Sequence, residues 1–310
     1  GVSDVPKSSP PSAATCGGDR AMDPFLNPFD HFTVPFGTWA EDLLDWIVGH
    51  SRATLLVAKV PVQSFLKFVQ GGMETVPPAL CILGAAAAGY LLSGRRLALT
   101  GFVCLTLIGL LGAWQAAMTT LSIVISAVTI CIVIGMPTGI LAARFDGFFR
   151  VLRPILDLLQ TIPSFVYLVP VVMLFGIGDT PGVIVTCIFA ITPLIRLTNL
   201  GIREVRSDLV EAARAFGASE ARVLFGTQLP LARPTILAGL NQTVLLSLSM
   251  AVVASMISVA GLGRIVLEGI GRLDFGSATV GGLGIVLMAI VVDRYVQALG
   301  AARQRYRAGA

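Results

Sequence analysis

The pattern of apolar and polar positions divides the chain into long apolar stretches separated by short charged ones. From residue 77 to residue 143 the only charged residues are Arg95 and Arg96. A hydrocarbon core of about 30 Å takes roughly 20 helical residues to cross, so this stretch alone is long enough for three crossings. The whole pattern predicts seven helical spans, near residues 77–94, 97–114, 118–143, 154–177, 181–198, 233–258 and 276–297.

The composition supports a chain that lies mostly in lipid. Of the 310 residues, 55% are hydrophobic and 13% are charged, whereas soluble domains carry about 25% charged residues. The mean hydropathy is +0.83. These values exclude a disordered chain, a fibrous repeat and an ordinary soluble enzyme. The predicted fold class is therefore all-α, a polytopic membrane protein with about seven transmembrane helices.

The region before the first span differs from the rest of the chain. Residues 1–26 begin with a polar stretch rich in Ser, Pro and Gly, which predicts a disordered tail. Residues 27–76 are expected to be extracytoplasmic or interfacial and to form two amphipathic helices. The first carries Trp39 on its apolar face, and the second covers residues 54–70 with a kink at Pro61. These helices would act as a lateral brace or simply tether the tail.

Lys and Arg residues set the expected orientation, because cytoplasmic loops retain positive charge. Counted over alternate connections, one side of the membrane receives fifteen of the 22 Lys and Arg residues and the other side receives seven. The richer side includes residues 199–232 and 301–310. We therefore expect a cytoplasmic loop at 199–232, a cytoplasmic C-terminal tail at 301–310 and an N-terminus outside.

Residues 199–232 form the longest charged connection between predicted spans. Ser207 and Asp208 are expected to cap an amphipathic helix that ends at Gly217, where a positive φ would turn the chain. A second short helix is predicted for residues 219–225. Together these features predict a helix-turn-helix that projects into the cytosol. A solvated charged connector is the alternative interpretation.

The same loop carries a characteristic spacing of small and charged residues. Glu211-Ala212-Ala213 is followed by Gly217 and later by Leu229-Pro230, and this spacing resembles the EAA loop of ABC importer permeases. In that family the short helix docks in a groove of the ATP-binding subunit and transmits its closure to the spans. Thr227 departs from the pattern, which usually has an aliphatic residue there. The resemblance implies an ATPase-coupling site made of Glu211, Ala212, Ala213, Phe216, Gly217, Ala218 and Ser219.

The resemblance extends beyond this loop, over about residues 27–300. It implies a type I ABC-importer permease core at 115–300, preceded by two accessory transmembrane helices at 77–114. The segments that resemble the permease subunit of the glycine betaine/proline-type osmoprotectant importers are NPFDHFTVPFGTWAEDLLDWIV (27–48), LDLLQTIPSFVYLVPVVMLFGIGDTPGVIVT (156–186), ITPLIRLTNLGI (191–202) and SMISVAGLGRIVLEGIGRLDFGSATVGG (255–282).

The resemblance also implies partners, location and cargo. An importer of this family would contain two copies of the permease, two ATP-binding subunits and an extracytoplasmic substrate-binding protein. The chain would lie in the bacterial inner membrane, in contact with lipid, and would bind no nucleic acid. Substrates typical of the family are glycine betaine, proline betaine, choline and similar methylated amines.

The sequence pattern indicates that ATP hydrolysis takes place in another chain. No lysine belongs to a G-x-x-x-x-G-K-[ST] pattern, so ATP and Mg²⁺ are expected on the partner ATPase. No catalytic residue, cofactor or metal is expected in this chain. A gradient-driven carrier or an osmotically gated channel is the alternative. An ion-coupled carrier usually needs a carboxylate or His at depth, and none occurs at 77–94, 97–143, 181–195, 233–258 or 276–292.

The sixth predicted span carries polar side chains that lipid cannot satisfy. Interhelical hydrogen bonding alone is one explanation for them. The other is a candidate translocation path that comprises Asn241, Thr243, Ser247, Met250 and Ser258. Four prolines are expected to break the fourth and fifth spans into segments that can hinge, namely Pro154, Pro163, Pro170 and Pro181.

Residues 261–274 follow the sixth span and form a short, charged, glycine-rich re-entry on the expected outer side. This segment would contact a substrate-delivering protein or form an internal structure of Arg and carboxylate groups. The i, i+4 spacing of Glu268 and Arg272 predicts a helical ion pair.

Overall fold

The computed structural model describes residues 36–308, with the side chains of residues 59–300 described throughout. The predicted disordered tail at residues 1–26 lies outside the described residues. The described residues fall into two units, which divide after Trp46. All contacts discussed below lie within the second unit.

Every regular element in residues 36–308 is helical, which confirms the predicted all-α fold. Short 3₁₀ or π turns occur at Ser164–Tyr167, Val223–Gln228 and Ser255–Ile257. The α-helices are α1 (Phe36–Thr75), α2 (Pro78–Ser93), α3 (Arg95–Leu110), α4 (Trp114–Arg144), α5 (Asp146–Thr161), α6 (Leu168–Phe175), α7 (Asp179–Arg203), α8 (Ser207–Ala215), α9 (Glu220–Arg222), α10 (Leu229–Ala254), α11 (Leu262–Gly271) and α12 (Phe275–Ala308).

Helices occupy all seven positions that the sequence predicts as spans. The two accessory helices, α2 and α3, have 16 residues each, fewer than the roughly 20 needed to cross a hydrocarbon core upright. Within the described range, four stretches are long and apolar enough to cross alone, namely Trp114–Arg144, Asp179–Arg203, Glu220–Ile257 and Phe275–Gly300. Two bent pairs raise this number to six if each is one span, Lys59–Thr75 with Pro78–Ser93 and Asp146–Thr161 with Ser164–Phe175.

The fourth predicted span is broken, as expected, at one of its prolines. α5 and the helical segment that includes α6 meet at an angle of 106°. The break lies at Ile162, whose ψ of 129° is extended, because a residue that precedes proline avoids the α conformation. Pro154 and Pro170 lie inside helices without ending them, and Pro181 lies in the first turn of α7, where a proline is tolerated. Of the four prolines, only Pro163 separates two helices.

α1 is a single helix, Phe36–Thr75, whereas two separate amphipathic helices were expected in this region. The residues between the predicted helices include no proline, and Pro61 lies within α1. One proline removes a single backbone hydrogen bond, which a long helix can survive. Lys59 Nζ donates a hydrogen bond to the main-chain oxygen of Phe175 at 2.7 Å. This contact places a cation at the carbonyl end of α6, where it favours the helix dipole.

α4, α7 and α10 form the centre of the second unit, and glycines let their backbones approach. A Cβ added at Gly139 of α4 would lie 2.7 Å from Thr198 Cβ and 2.9 Å from the Ile195 oxygen, both in α7. A Cβ added at Gly239 of α10 would lie 2.9 Å from Leu197 Cβ, also in α7. Carbon atoms in contact normally stay about 3.5–4.0 Å apart. α7 is therefore held closely between α4 and α10, as small residues permit in membrane proteins.

Replacement of Gly139 by Ala is expected to destabilise the protein, because the new methyl group must push α4 away from Thr198. Overpacking of this kind costs roughly 1–3 kcal/mol. In detergent we expect the midpoint of thermal unfolding, Tm, to fall by roughly 2–8 °C. Gly282→Ala is the matched control, because no atom lies within 4 Å of its new Cβ. Equal Tm values for the two variants would contradict close packing at Gly139.

Candidate functional site

The loop between α7 and α10 begins and ends at a tight helix contact. A Cβ at Gly201, near the end of α7, would lie 2.9 Å from Thr235 Cβ and 3.2 Å from the Ala232 oxygen in α10. The two helices that carry the loop therefore meet next to its ends. This contact restricts where the intervening residues can project.

α8 begins at Ser207, one residue earlier than the predicted cap requires. Arg206 occupies the N-cap position, and the start of the helix has no side-chain cap. The expected capping by Ser207 and Asp208 is therefore wrong. Asp208 instead accepts hydrogen bonds from Arg206 Nε at 3.1 Å and Nη2 at 2.5 Å. Its carboxylate lies in the first helical turn, where a negative charge favours the helix dipole.

Gly217 ends α8 with the predicted left-handed backbone. Its φ is +79°, a conformation that costs glycine little and other residues more. The N–H of Gly217 donates to the Arg214 oxygen at 2.9 Å, and the N–H of Ala218 donates to the Ala213 oxygen at 3.1 Å. These bonds close the last turn of the helix. The adjacent Phe216 side chain is 92% exposed.

The second predicted helix, residues 219–225, is shorter than expected and changes type. Ser219 Oγ accepts a hydrogen bond from the Arg222 N–H at 3.4 Å and caps the single turn α9. The chain then enters the π turn Val223–Gln228. Val223 and Leu224 are buried, so the turn is anchored to the helices beneath it. The predicted helix-turn-helix is present in outline.

The seven residues of the predicted coupling site lie together around the Gly217 turn. Glu211, Ala212, Phe216, Gly217 and Ser219 are exposed, whereas Ala213 and Ala218 are half-buried. Among the described residues, Phe216 is one of the most exposed large apolar side chains, and Leu209 and Phe225 of the same loop are also exposed.

An ion-pair network not anticipated from the sequence joins this turn to α4. Arg144, in the last turn of α4, donates to Glu220 Oε2 at 2.7 Å and to the Glu220 main-chain oxygen at 2.6 Å. Arg214 of α8 donates to Glu220 Oε1 at 2.8 Å and to Oε2 at 3.2 Å. Arg144 and Glu220 are 76 positions apart, so no local spacing indicates their contact.

The hydrogen bonds from Arg214 and Arg144 hold the pKa of the Glu220 carboxyl below its ordinary 4.5. The hydrogen bond with Glu220 likewise raises the pKa of the Arg214 guanidinium above its ordinary value. A carboxyl group with a lowered pKa is ionised, and so keeps its ion pairs, at any pH above its ordinary pKa. It loses these ion pairs as the pH falls through the lowered pKa. The network is therefore intact at neutral pH and weakens only in acid below pH 4.5.

Arg203 joins the end of α4, the start of α5 and the end of α7. Arg203 donates to Asn199 Oδ1 and to the main-chain oxygen of Ala142, both at 2.8 Å. It also pairs with Asp146 Oδ1 at 2.6 Å and lies 5.5 Å from the centroid of the Phe149 ring. The loop therefore begins at a junction of α4, α5 and α7, which the hydrogen bonds and the ion pair of Arg203 hold in place.

Three of the five residues predicted for the translocation path are buried. Thr243, Ser247 and Met250 share a face of α10, and all three are buried. Ser247 Oγ donates to the Thr243 oxygen of its own helix at 2.8 Å. Asn241 is half-buried, and Ser258 is exposed with a φ of +61°. In this conformation Thr243, Ser247 and Met250 are packed among the helices, and the Ser247 hydrogen bond lies within α10 rather than between helices.

The turn after α10 is fixed by two side chains from distant helices. Asp179 Oδ1 accepts a hydrogen bond from the Ala260 N–H at 2.9 Å, and Thr120 Oγ1 accepts one from the Leu262 N–H at 2.8 Å. In α11, Glu268 pairs with Arg264 at 2.7 Å. The predicted pair of Glu268 with Arg272 is therefore wrong, because the Glu268 side chain leans toward the start of the helix, as helical side chains do, and so reaches Arg264 one turn earlier.

Among the described residues, no cluster of three or more His, Cys, Asp or Glu residues could hold a metal ion.

Comparison with known proteins gives one family match. Residues 135–305 match the family described as "Binding-protein-dependent transport system inner membrane component". The matched region starts within α4 and includes the Gly217 turn and the junction at Arg203.

Two curated proteins are similar over most of the chain. The glycine betaine/proline betaine transport system permease protein ProW of Escherichia coli (strain K12) is 51% identical over 275 residues, which cover 89% of this chain and 78% of that protein. The glycine betaine transport system permease protein OpuAB of Bacillus subtilis (strain 168) is 40% identical over 264 residues, which cover 85% of this chain and 94% of that protein.

A solved structure shares the fold. A chain of the MetNI methionine ABC transporter, in a crystal form of its inward-facing conformations, superposes with a TM-score of 0.55. Its sequence is 22% identical, and the match covers 63% of this chain and 95% of that chain. At this identity the likeness concerns the fold alone.

Proposed function

Because this chain belongs to the binding-protein-dependent transport system inner membrane components, we propose that it is the permease subunit of an ATP-driven importer for glycine betaine or a related compatible solute. Proline betaine, choline and similar methylated amines belong to the same proposed class. Two relatives with identities of 51% and 40% are named for glycine betaine transport, and these names support the substrate class. ATP hydrolysis belongs to a separate subunit.

One observation carries the coupling part of the proposal. Phe216 is 92% exposed beside a glycine with a φ of +79°, at the tip of a loop whose two ends are held by packed helices. The turn would insert Phe216 and the small residues Ala212 and Ala218 into a groove of the ATP-binding subunit. Glu211 lies on the same exposed surface and would add a charge-assisted contact at the rim.

The proposed assembly contains two copies of this chain, two ATP-binding subunits that hold ATP and Mg²⁺, and an extracytoplasmic substrate-binding protein. The turn after α10 and α11, with the exposed Leu273 and Phe275 beyond it, would face the binding protein. A path along α10 would run past Asn241 and Ser258. Thr243, Ser247 and Met250 would reach the solute only when α10 separates from its neighbours.

The proposed location is the bacterial inner membrane, with the loop and the C-terminus cytoplasmic and the N-terminus outside. Arg144, Arg203, Arg206, Arg214 and Arg222 lie at the ends of α4 and α7 and along the loop. This concentration of arginine supports a cytoplasmic position. The stretch Glu220–Ile257 has 38 residues, far more than the roughly 20 needed to cross, so its charged beginning can extend beyond the lipid.

Energy from ATP distinguishes this proposal from a gradient-driven carrier or an osmotically gated channel. Proteoliposomes with the permease, its ATP-binding subunit and the binding protein are expected to take up labelled glycine betaine only when ATP is present on the side of the ATP-binding subunit. Ionophores that collapse ion gradients should leave uptake unchanged. The purified chain alone is expected to hydrolyse no ATP. Uptake by the chain alone, driven by an ion gradient, would favour the carrier.

Replacement of Gly217 by Val is expected to uncouple transport while membrane insertion stays normal. A β-branched residue at a φ of +79° strains the turn that presents Phe216. Strain of about 1–3 kcal/mol should lower uptake in proteoliposomes at least about fivefold and weaken ATPase association. Gly226→Val is the control, because the nearest atom to its new Cβ lies 4.0 Å away. Wild-type uptake and association in Gly217→Val would defeat the proposal.

The proposed orientation predicts opposite labelling at two exposed phenylalanines. In an active background that lacks the five native cysteines, Phe216→Cys should react with a membrane-impermeant maleimide in inside-out vesicles and not in intact spheroplasts. Phe275→Cys, whose native side chain is 82% exposed, should show the reverse. Labelling of both residues from the same side would contradict the orientation.

A further inference from the structure

Glu220 lies where α4, α8 and α9 meet. It is not one of the seven residues of the predicted coupling site around Gly217. We propose that Glu220 is a positioning residue for energy coupling, which holds the Gly217 turn at a fixed angle to α4 so that motion of the loop passes into α4 through Arg144. This inference rests on the proposed function, because it assumes that the turn binds an ATP-binding subunit.

The link from Glu220 to α4 is directional. One guanidinium, that of Arg144, binds the Glu220 carboxylate at 2.7 Å and the main-chain oxygen of the same residue at 2.6 Å. Two hydrogen bonds from one rigid fork fix an orientation as well as a distance. The Arg144 side chain is only 28% exposed, so its stem is confined by packing. Rotation of α9 would therefore displace the end of α4.

The link from Glu220 to α8 closes the turn. Arg214 Nε and Nη2 lie 2.8 and 3.2 Å from the two carboxylate oxygens. Arg214 precedes Gly217 and Glu220 follows it, so the ion pair spans the flexible residue. Without this pair, Gly217 would be free to change the angle between α8 and α9. With it, the turn moves as one body.

Beyond Arg144, the close helix contacts would carry the displacement onward. α4 packs on α7 through Gly139, where an added Cβ would lie 2.7 Å from Thr198 Cβ. Arg203 of α7 donates to the Ala142 oxygen of α4 at 2.8 Å. Movement of the end of α4 would therefore include α7, and through Asp146 the beginning of α5.

Glu220 is not needed to hold the loop in place. Exposed ion pairs add little to stability, and the Glu220 side chain is 55% exposed. The buried residues Val223 and Leu224 anchor the following turn. Loss of the carboxylate should thus leave a folded permease whose loop is attached but less rigidly oriented. An effect of this change on coupling can therefore be measured without an effect on folding.

The test compares Glu220→Ala with Asp208→Ala in the complete complex, reconstituted with the ATP-binding subunit and the binding protein. Both changes remove one exposed carboxylate from the same loop, but among the described residues the ion-pair partner of Asp208 is Arg206, two positions away. Labelled glycine betaine taken up per ATP hydrolysed is measured together with association of the ATP-binding subunit. We expect Glu220→Ala to lower the ratio about two- to thirtyfold with association retained, and Asp208→Ala to keep the wild-type ratio.

A double variant tests whether Glu220 acts through Arg144. Arg144→Met keeps most of the apolar stem and removes the guanidinium. Its effect on the ratio should resemble that of Glu220→Ala, and the two changes together should cost no more than either alone. A wild-type ratio in Glu220→Ala, an equal loss in Asp208→Ala, or additive losses in the double variant would overturn the inference. Failure of the wild-type complex to associate, or uptake without ATP, would instead reject the proposed function.

Discussion

The close approach of α7 to α4 on one side and to α10 on the other is the constraint from which the other features follow. Lipid offers no hydrophobic force that drives helices together, so packing contacts must supply the attraction. Gly139 and Gly239 make such contacts possible at the two crossings. Because Gly201 repeats this arrangement at the base of the loop, the ends of α7 and α10 stay together. The loop between them can project only as a compact turn.

The loop itself is held by different forces. Val223 and Leu224 provide a small apolar anchor, whereas Arg144, Arg214 and Glu220 provide direction through charged hydrogen bonds. Salt weakens exposed ion pairs, whereas it does not act on the buried packing between helices. The helix core is thus the rigid part of the structure, and the orientation of the turn is the part most open to adjustment.

The helix core and the loop both lie in the part of the chain that its relatives share. The family match covers residues 135–305, which include the helix core and the loop, and the likeness to a methionine transporter chain covers 63% of this chain. The permease ProW is similar over 89% of the chain, so its similarity reaches further than the family match. Among the helices before α4, α1 contacts the end of α6 through Lys59.

The sequence by itself determined the helical class, the positions of the seven apolar segments, four prolines at which a span could break, of which only Pro163 does so, and the left-handed turn at Gly217. Each of these follows from local chemistry, namely the length of an apolar run, the restriction before a proline and the freedom of a glycine. Only the tertiary structure decided that Glu220 binds Arg144 and that Thr243 and Ser247 are buried. These outcomes depend on which helices pack together and at what angle, and that choice is made by contacts between residues far apart in the chain.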